Sequence, residues 1–143
     1  MSRRLAREKI MQCLFSITVG NNAPEEAIEL FDDDELTEQD QDFAKGYILE
    51  IIEHLKELDA LYKPYLKDWQ LERLANVDRT LLRMAVYEMR YKADIPVSVT
   101  INEAVELAKV FGSDESSKFV NAVLDNLRKE TTKENEEHEV PRD

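Results

Sequence analysis

Apolar residues recur along most of this chain at intervals of three and four, the spacing that gathers them on one face of a helix. From Arg3 to Val19 the recurring set is Ala6, Ile10, Cys13, Leu14 and Ile17, which predicts a first helix stopped by Gly20 and the asparagine pair behind it. Pro24 suits the first turn of a short second helix carrying Ala27, Ile28 and Phe31, and the run from Asp32 to Glu35 then reads as a solvated loop. Thr37 with Asp40 makes a capping pair for one long helix whose stripe is Phe43, Tyr47, Ile51, Leu55 and Leu58, and Pro64 breaks the helical run beyond it.

The second half is patterned more strongly. Between Val77 and Met89 apolar residues fill most of the helical circumference (Val77, Leu81, Leu82, Met84, Ala85, Val86, Met89), as expected of a central helix wrapped by its neighbours. After a loop around Asp94 and Pro96, Thr100 and Glu103 read as a capping box for a helix burying Ile101, Ala104, Val105, Ala108 and Phe111. Gly112 ends that helix and Ser113 can cap the last one, which places Phe119, Val120, Val123, Leu124 and Leu127 on one side. No solenoid repeat or sustained heptad is present. The expected architecture is all-α, a compact bundle of about six to seven helices over residues 1–129, followed by an acidic, disordered tail over 130–143.

Composition supports that choice. Three glycines and four prolines in 143 residues leave little turn chemistry for the many short hairpins of an all-β fold. The lone Cys13 has no disulfide partner, and the segment from Leu5 to Val19 is interrupted by Arg7, Glu8, Lys9 and Gln12, so neither a signal peptide nor a membrane span is expected and the cytoplasm is the expected location.

The net charge of -12 argues against a nucleic-acid partner until its distribution is considered. Residues 25–42 hold ten acidic side chains and no basic one, and residues 129–143 carry -3, so the remainder is close to neutral. The first 24 residues are +3, from Arg3, Arg4, Arg7 and Lys9 against Glu8. Overall acidity therefore leaves room for a local anion site.

Catalytic apparatus is missing from the pattern. Two histidines, His54 and His138, and one cysteine form no zinc spacing, and there is no phosphate-binding loop, dinucleotide fingerprint, nucleophile elbow or metalloprotease helix. No enzyme, cofactor or metal is expected. On a helix Arg3, Arg4 and Arg7 lie together and can track successive phosphates. The same strip leads to Met11 and Phe15, an apolar patch the core stripe does not need and one suited to a protein partner. Ser113, Ser116, Ser117 and Lys118 offer hydroxyls, helix N-terminal amides and a cation to a phosphate, with Phe119 as a stacking ring. From Trp69 to Arg83, Trp69 and Leu74 read as core, and Asp78, Arg79 and Arg83 as exposed. The residues alone leave open whether the arginines hold a polyanion or are simply solvated, and whether the serine turn is a site or an ordinary cap.

SRRLARE with Gln12, Cys13 and Leu14 behind it, RLANVDRTLLRMAVYEM, DIPVSVTINEAVELAKVFG and SSKFVNAVLDNL together resemble the NusB family of transcription antitermination factors, over roughly residues 3–128. The resemblance implies two small helical bundles, binding of boxA-type single-stranded RNA in nascent ribosomal RNA, and a complex with NusE, a small-subunit ribosomal protein. Other Nus factors and RNA polymerase would be engaged indirectly. It implies RNA contacts at Arg3, Arg4 and Arg7, and at Lys118 and Phe119, and a NusE surface at Phe15 and Asp78 with Tyr65 and Glu72 beside it. Leu5 stands where the family often has arginine and Phe15 where it often has tyrosine, which removes a phosphate contact and a hydroxyl. The competing classes are an RNA-modifying enzyme, which needs a cofactor-binding domain this chain has no room for, and a protein-interaction module or homodimer that binds no RNA.

Overall fold

A computed structural model describes residues 2–29, 35–67 and 70–139. Phe31 of the expected second helix, the aspartates at 32–34 of the expected loop and Trp69 of the expected core lie outside the described residues. Among those described the chain is entirely helical: α1 (Ser2–Thr18), α2 (Pro24–Glu29), α3 (Glu38–Glu53), α4 (Leu55–Tyr62), α5 (Asn76–Tyr91), α6 (Val97–Phe111) and α7 (Asp114–Glu139), with short 3-10 turns at Lys63–Tyr65 and Leu71–Arg73.

Helix α5 is the hub. It packs against α1, α3, α4, α6 and α7. Leu81, Leu82, Met84, Ala85, Val86 and Tyr87 are buried together, as a helix apolar around most of its circumference requires. The α1 stripe is wider than its pattern suggests: Met11, expected on an outer patch, is buried with Ala6, Ile10, Cys13 and Leu14. That placement brings Arg7 inward as well.

Helix ends obey local chemistry. α1 stops where Asn21 takes a left-handed conformation (φ 59°), which asparagine tolerates, and the Asn22 N–H returns to the Ser16 carbonyl. Thr37 caps α3, its hydroxyl accepting from the Asp40 N–H at 3.1 Å. The one long helix expected to carry the stripe from Phe43 to Leu58 is two helices, because the His54 ring engages the Glu50 carbonyl and the His54 N–H turns to Ile51 instead. The expected Thr100–Glu103 capping box is not one. α6 begins a turn earlier at Val97, behind Pro96, and Thr100 is a buried interior residue. Gly112 and Ser113 do separate α6 from α7, with Ser113 Oγ accepting from the Ser116 N–H at 3.1 Å. The apolar positions of α7 end at Leu127, while the backbone continues as helix to Glu139, into the stretch whose pattern predicts a tail; the glutamates and lysines there are good helix formers.

Candidate nucleic-acid interface

The first turns of α1 present Arg3 and Arg4 outward, each with 45% of its side chain exposed. Arg3 lays its guanidinium over the Phe43 ring, 3.8 Å from the centroid, with Nε 3.5 Å from the Asp40 carboxylate. Arg4 donates two hydrogen bonds to Glu103 of α6, at 2.8 and 3.1 Å, and this contact raises its pKa above the ordinary arginine value. Both arginines stand on an open groove of ≈ 800 Å³ whose other walls are Arg7 of α1, Phe43 of α3, Lys92, Asp94 and Ile95 of the α5–α6 loop, and Val99 and Glu103 of α6. An apolar floor with cations at its rim suits an unstacked base and its phosphates.

Arg7 is not the third member of an exposed strip. Only 9% of its side chain is accessible, and it donates to both carboxylate oxygens of Glu88 at 3.0–3.3 Å. The same carboxylate accepts from the Tyr47 hydroxyl at 2.8 Å and the Thr100 hydroxyl at 2.5 Å, so α1, α3, α5 and α6 meet at one group. Burial, with the Glu88 charge, keeps the Tyr47 phenol protonated far above its usual range. The reading of α1 as three outward guanidiniums is corrected to two, because the apolar face reaches round to Met11 and takes Arg7 with it. Leu5, at the position where the family often has arginine, is half-buried against the core.

A second groove flanks α6 on its opposite side, lined by Ser98, Asn102, Val105, Lys118, Asn121 and Arg128 among others. The exposed face of α6 is thus a ridge between Arg3 and Arg4 on one side and Lys118 on the other. Lys118 is exposed, and Phe119 is half-buried against the core. The serines beside them are not an open phosphate cradle. Ser113 caps the helix, with its Oγ 3.5 Å from that of Ser116, and Ser117 is buried with its hydroxyl on the Asp114 carbonyl at 2.7 Å.

The four residues carried over as a partner surface differ in setting. Phe15 and Tyr65 are half-buried against the core, and Glu72 is exposed in the second 3-10 turn. Asp78, expected to be exposed, is 9% exposed in the first turn of α5, and burial raises its pKa against the opposing influence of Ser116; its Oδ1 has no hydrogen-bond partner among the described residues. Arg83, also expected at the surface, is mostly covered and clamps Asp59 through two 2.8 Å bonds.

Sequence reading missed four groove and core residues: Glu88, Phe43 as the seat of Arg3, Glu103 as the partner of Arg4, and Lys92. Glu88 carried a signal, since a carboxylate inside an apolar run needs a buried cation. The others depend on contacts between distant helices. Among the described residues no group of histidine, cysteine or acidic side chains could hold a metal, and no helix is long and apolar enough to cross a membrane.

Comparison with known proteins bears on the family and the fold. A profile of the NusB family matches residues 4–129. The transcription antitermination protein NusB of Bacillus subtilis is 49% identical over 128 residues, covering 90% of this chain and 95% of that protein. That of Bacillus velezensis is 50% identical over 128 residues, covering 90% and 96%. Among solved structures, T. maritima NusB superposes with a TM-score of 0.84 at 39% identity, covering 91% of this chain and 92% of that one. A chain from a crystal structure of antitermination factors NusB and NusE in complex with dsRNA superposes with a TM-score of 0.77 at 23% identity, covering 90% and 96%, which is a likeness of fold.

Proposed function

The chain belongs to the NusB family, and from that premise we propose that it is a transcription antitermination factor, a binding protein without catalysis, acting in the cytoplasm on nascent ribosomal RNA. Its RNA is of the boxA type, single-stranded and held together with a NusE-type ribosomal protein, through which other Nus factors and RNA polymerase are reached.

The observation that carries this reading is the pair of guanidiniums, Arg3 and Arg4, held by α1 at the rim of one open groove. Phosphates supply sequence-tolerant attraction there, and unstacked bases have Ile95 and Val99 to lie against. Arg7 works from inside: its pair with Glu88 fixes α1 against α5, so that Arg3 and Arg4 project at a set angle. Across the α6 ridge, Lys118 continues the track, with Phe119 beside it. Phe15, Tyr65, Glu72 and Asp78 form the partner surface in this reading.

The test is a titration of a short boxA-type RNA and of a scrambled RNA, first with the protein alone and then with a NusE-type partner present. Weak binding of both RNAs by the protein alone, turning to tight and selective binding of the boxA type with the partner, is expected. Partner binding with no RNA retained at either stage would instead mark a protein-interaction module.

A further inference from the structure

We propose that Lys92 is a phosphate-binding residue of this interface, a cation on the wall of the groove that Arg3 and Arg4 also line. The proposal rests on the RNA-binding reading above and adds a contact to it.

The arginines of the groove are all answered by carboxylates: Arg3 by Asp40, Arg4 by Glu103 and Arg7 by Glu88. An anionic ligand meeting Arg3 or Arg4 must compete with a neighbour already in place. Lys92 is different. It stands on the wall of the same groove, and among the described residues no carboxylate pairs with its ammonium. The ammonium instead lies over two aromatic faces, 5.5 Å from the Tyr47 centroid and 5.9 Å from that of Tyr87. Those faces orient a cation without neutralising it. Asp94 shares the rim but is exposed, so water and salt screen its charge.

The backbone places Lys92 well for this work. It is the C-terminal cap of α5, its N–H bonded to the Glu88 backbone carbonyl, so the residue that ends the helix is tied one turn back to the backbone of the residue that holds Arg7. Tyr47 links the two as well, giving its hydroxyl to Glu88 and its ring face to Lys92. The buried network that anchors α1 therefore also sets the position of the opposing cation. A polynucleotide lying in the groove meets Arg3, Arg4 and Lys92 along its walls, beside the apolar Ile95 and Val99.

The experiment compares wild type, Lys92→Gln, Lys92→Arg, Arg4→Gln and Lys109→Gln for affinity toward a short single-stranded RNA at several salt concentrations, with thermal melts of each. Lys109 is an exposed cation of α6 outside the groove, paired with Glu106, and serves as the control. Lys92→Gln should weaken binding about as much as Arg4→Gln and flatten the slope of log K against log salt by about 0.7, with Lys92→Arg and Lys109→Gln close to wild type. If Arg4→Gln weakens binding and Lys92→Gln does not, the proposal is wrong and the RNA-binding reading stands. A loss in Lys92→Gln that leaves the salt slope unchanged, or that arginine does not rescue, would assign Lys92 to packing against the tyrosines and overturn it too. A wild-type protein that holds no RNA even with its ribosomal partner would remove the reading beneath it.

Discussion

Arg7 and Glu88, 81 positions apart, close an ion pair of three hydrogen bonds in the interior where α1 packs on α5. Tyr47 and Thr100 fill the remaining acceptor capacity of the carboxylate. A buried pair of this kind is costly to break because the surviving charge is left without a partner.

Arg7→Ala should therefore destabilise the fold by about 3–5 kcal/mol, and Glu88→Ala by a similar amount. Urea unfolding monitored by circular dichroism measures it. A variant of full stability that had lost only RNA affinity would show that Arg7 faces ligand and not Glu88.

Arg4 should behave in the opposite way. Its pair with Glu103 is exposed on the arginine side, so Arg4→Gln should change stability by no more than roughly 0.5 kcal/mol while weakening RNA binding. Glu103→Gln frees the guanidinium and removes a negative charge from the groove, so it should tighten RNA binding by up to about five-fold, the equivalent of about 1 kcal/mol. Filter binding of both variants beside wild type checks the two signs, and weaker binding in Glu103→Gln would mean that the carboxylate positions Arg4 and does not compete for it.

Asp59 gives a pH dependence. Burial works against its charge, yet the hydrogen bonds from Arg83 and Tyr62, with the Arg83 charge, hold its carboxyl below the usual aspartate value. Because the folded group binds its proton less tightly than the unfolded one, its contribution is complete above the ordinary aspartate range near 4. It then disappears as pH falls through the lower folded value. Asp59→Asn should cost about 2 kcal/mol at neutral pH, and the difference from wild type should shrink across that acid window. A difference independent of pH would contradict the assignment.

Gly112 makes the turn from α6 to α7 possible. A Cβ there would stand 2.9 Å from the Ala108 carbonyl oxygen and 2.8 Å from Ser116 Oγ, and the first of these is backbone that cannot step aside. Gly112→Ala should lower stability by about 1–3 kcal/mol. Thermal melting checks it, and an unchanged midpoint would show that the turn has slack.

The helices were legible because their cause is local. Ile10 and Leu14, or Val120, Val123 and Leu124, declare a buried face by spacing alone, and Thr37 and Ser113 mark helix starts with their own hydroxyls. The site was legible in part. Charge distribution singled out the head of α1, but the fate of each arginine depends on helices far away in sequence: Glu88 takes Arg7 in, Glu103 ties Arg4, and Phe43 seats Arg3. Thr100 misled for the same kind of reason, since its hydroxyl serves the Glu88 carboxylate and not a helix start. The break at His54 hangs on one side chain reaching its own backbone, which periodicity does not register.

Salt titration of RNA binding tests the central claim most directly. If Arg3, Arg4, Lys92 and Lys118 replace counterions on a single-stranded RNA, log K should fall against log salt with a slope of roughly -3. A slope near zero would show that the grooves either side of α6 do not hold the phosphates.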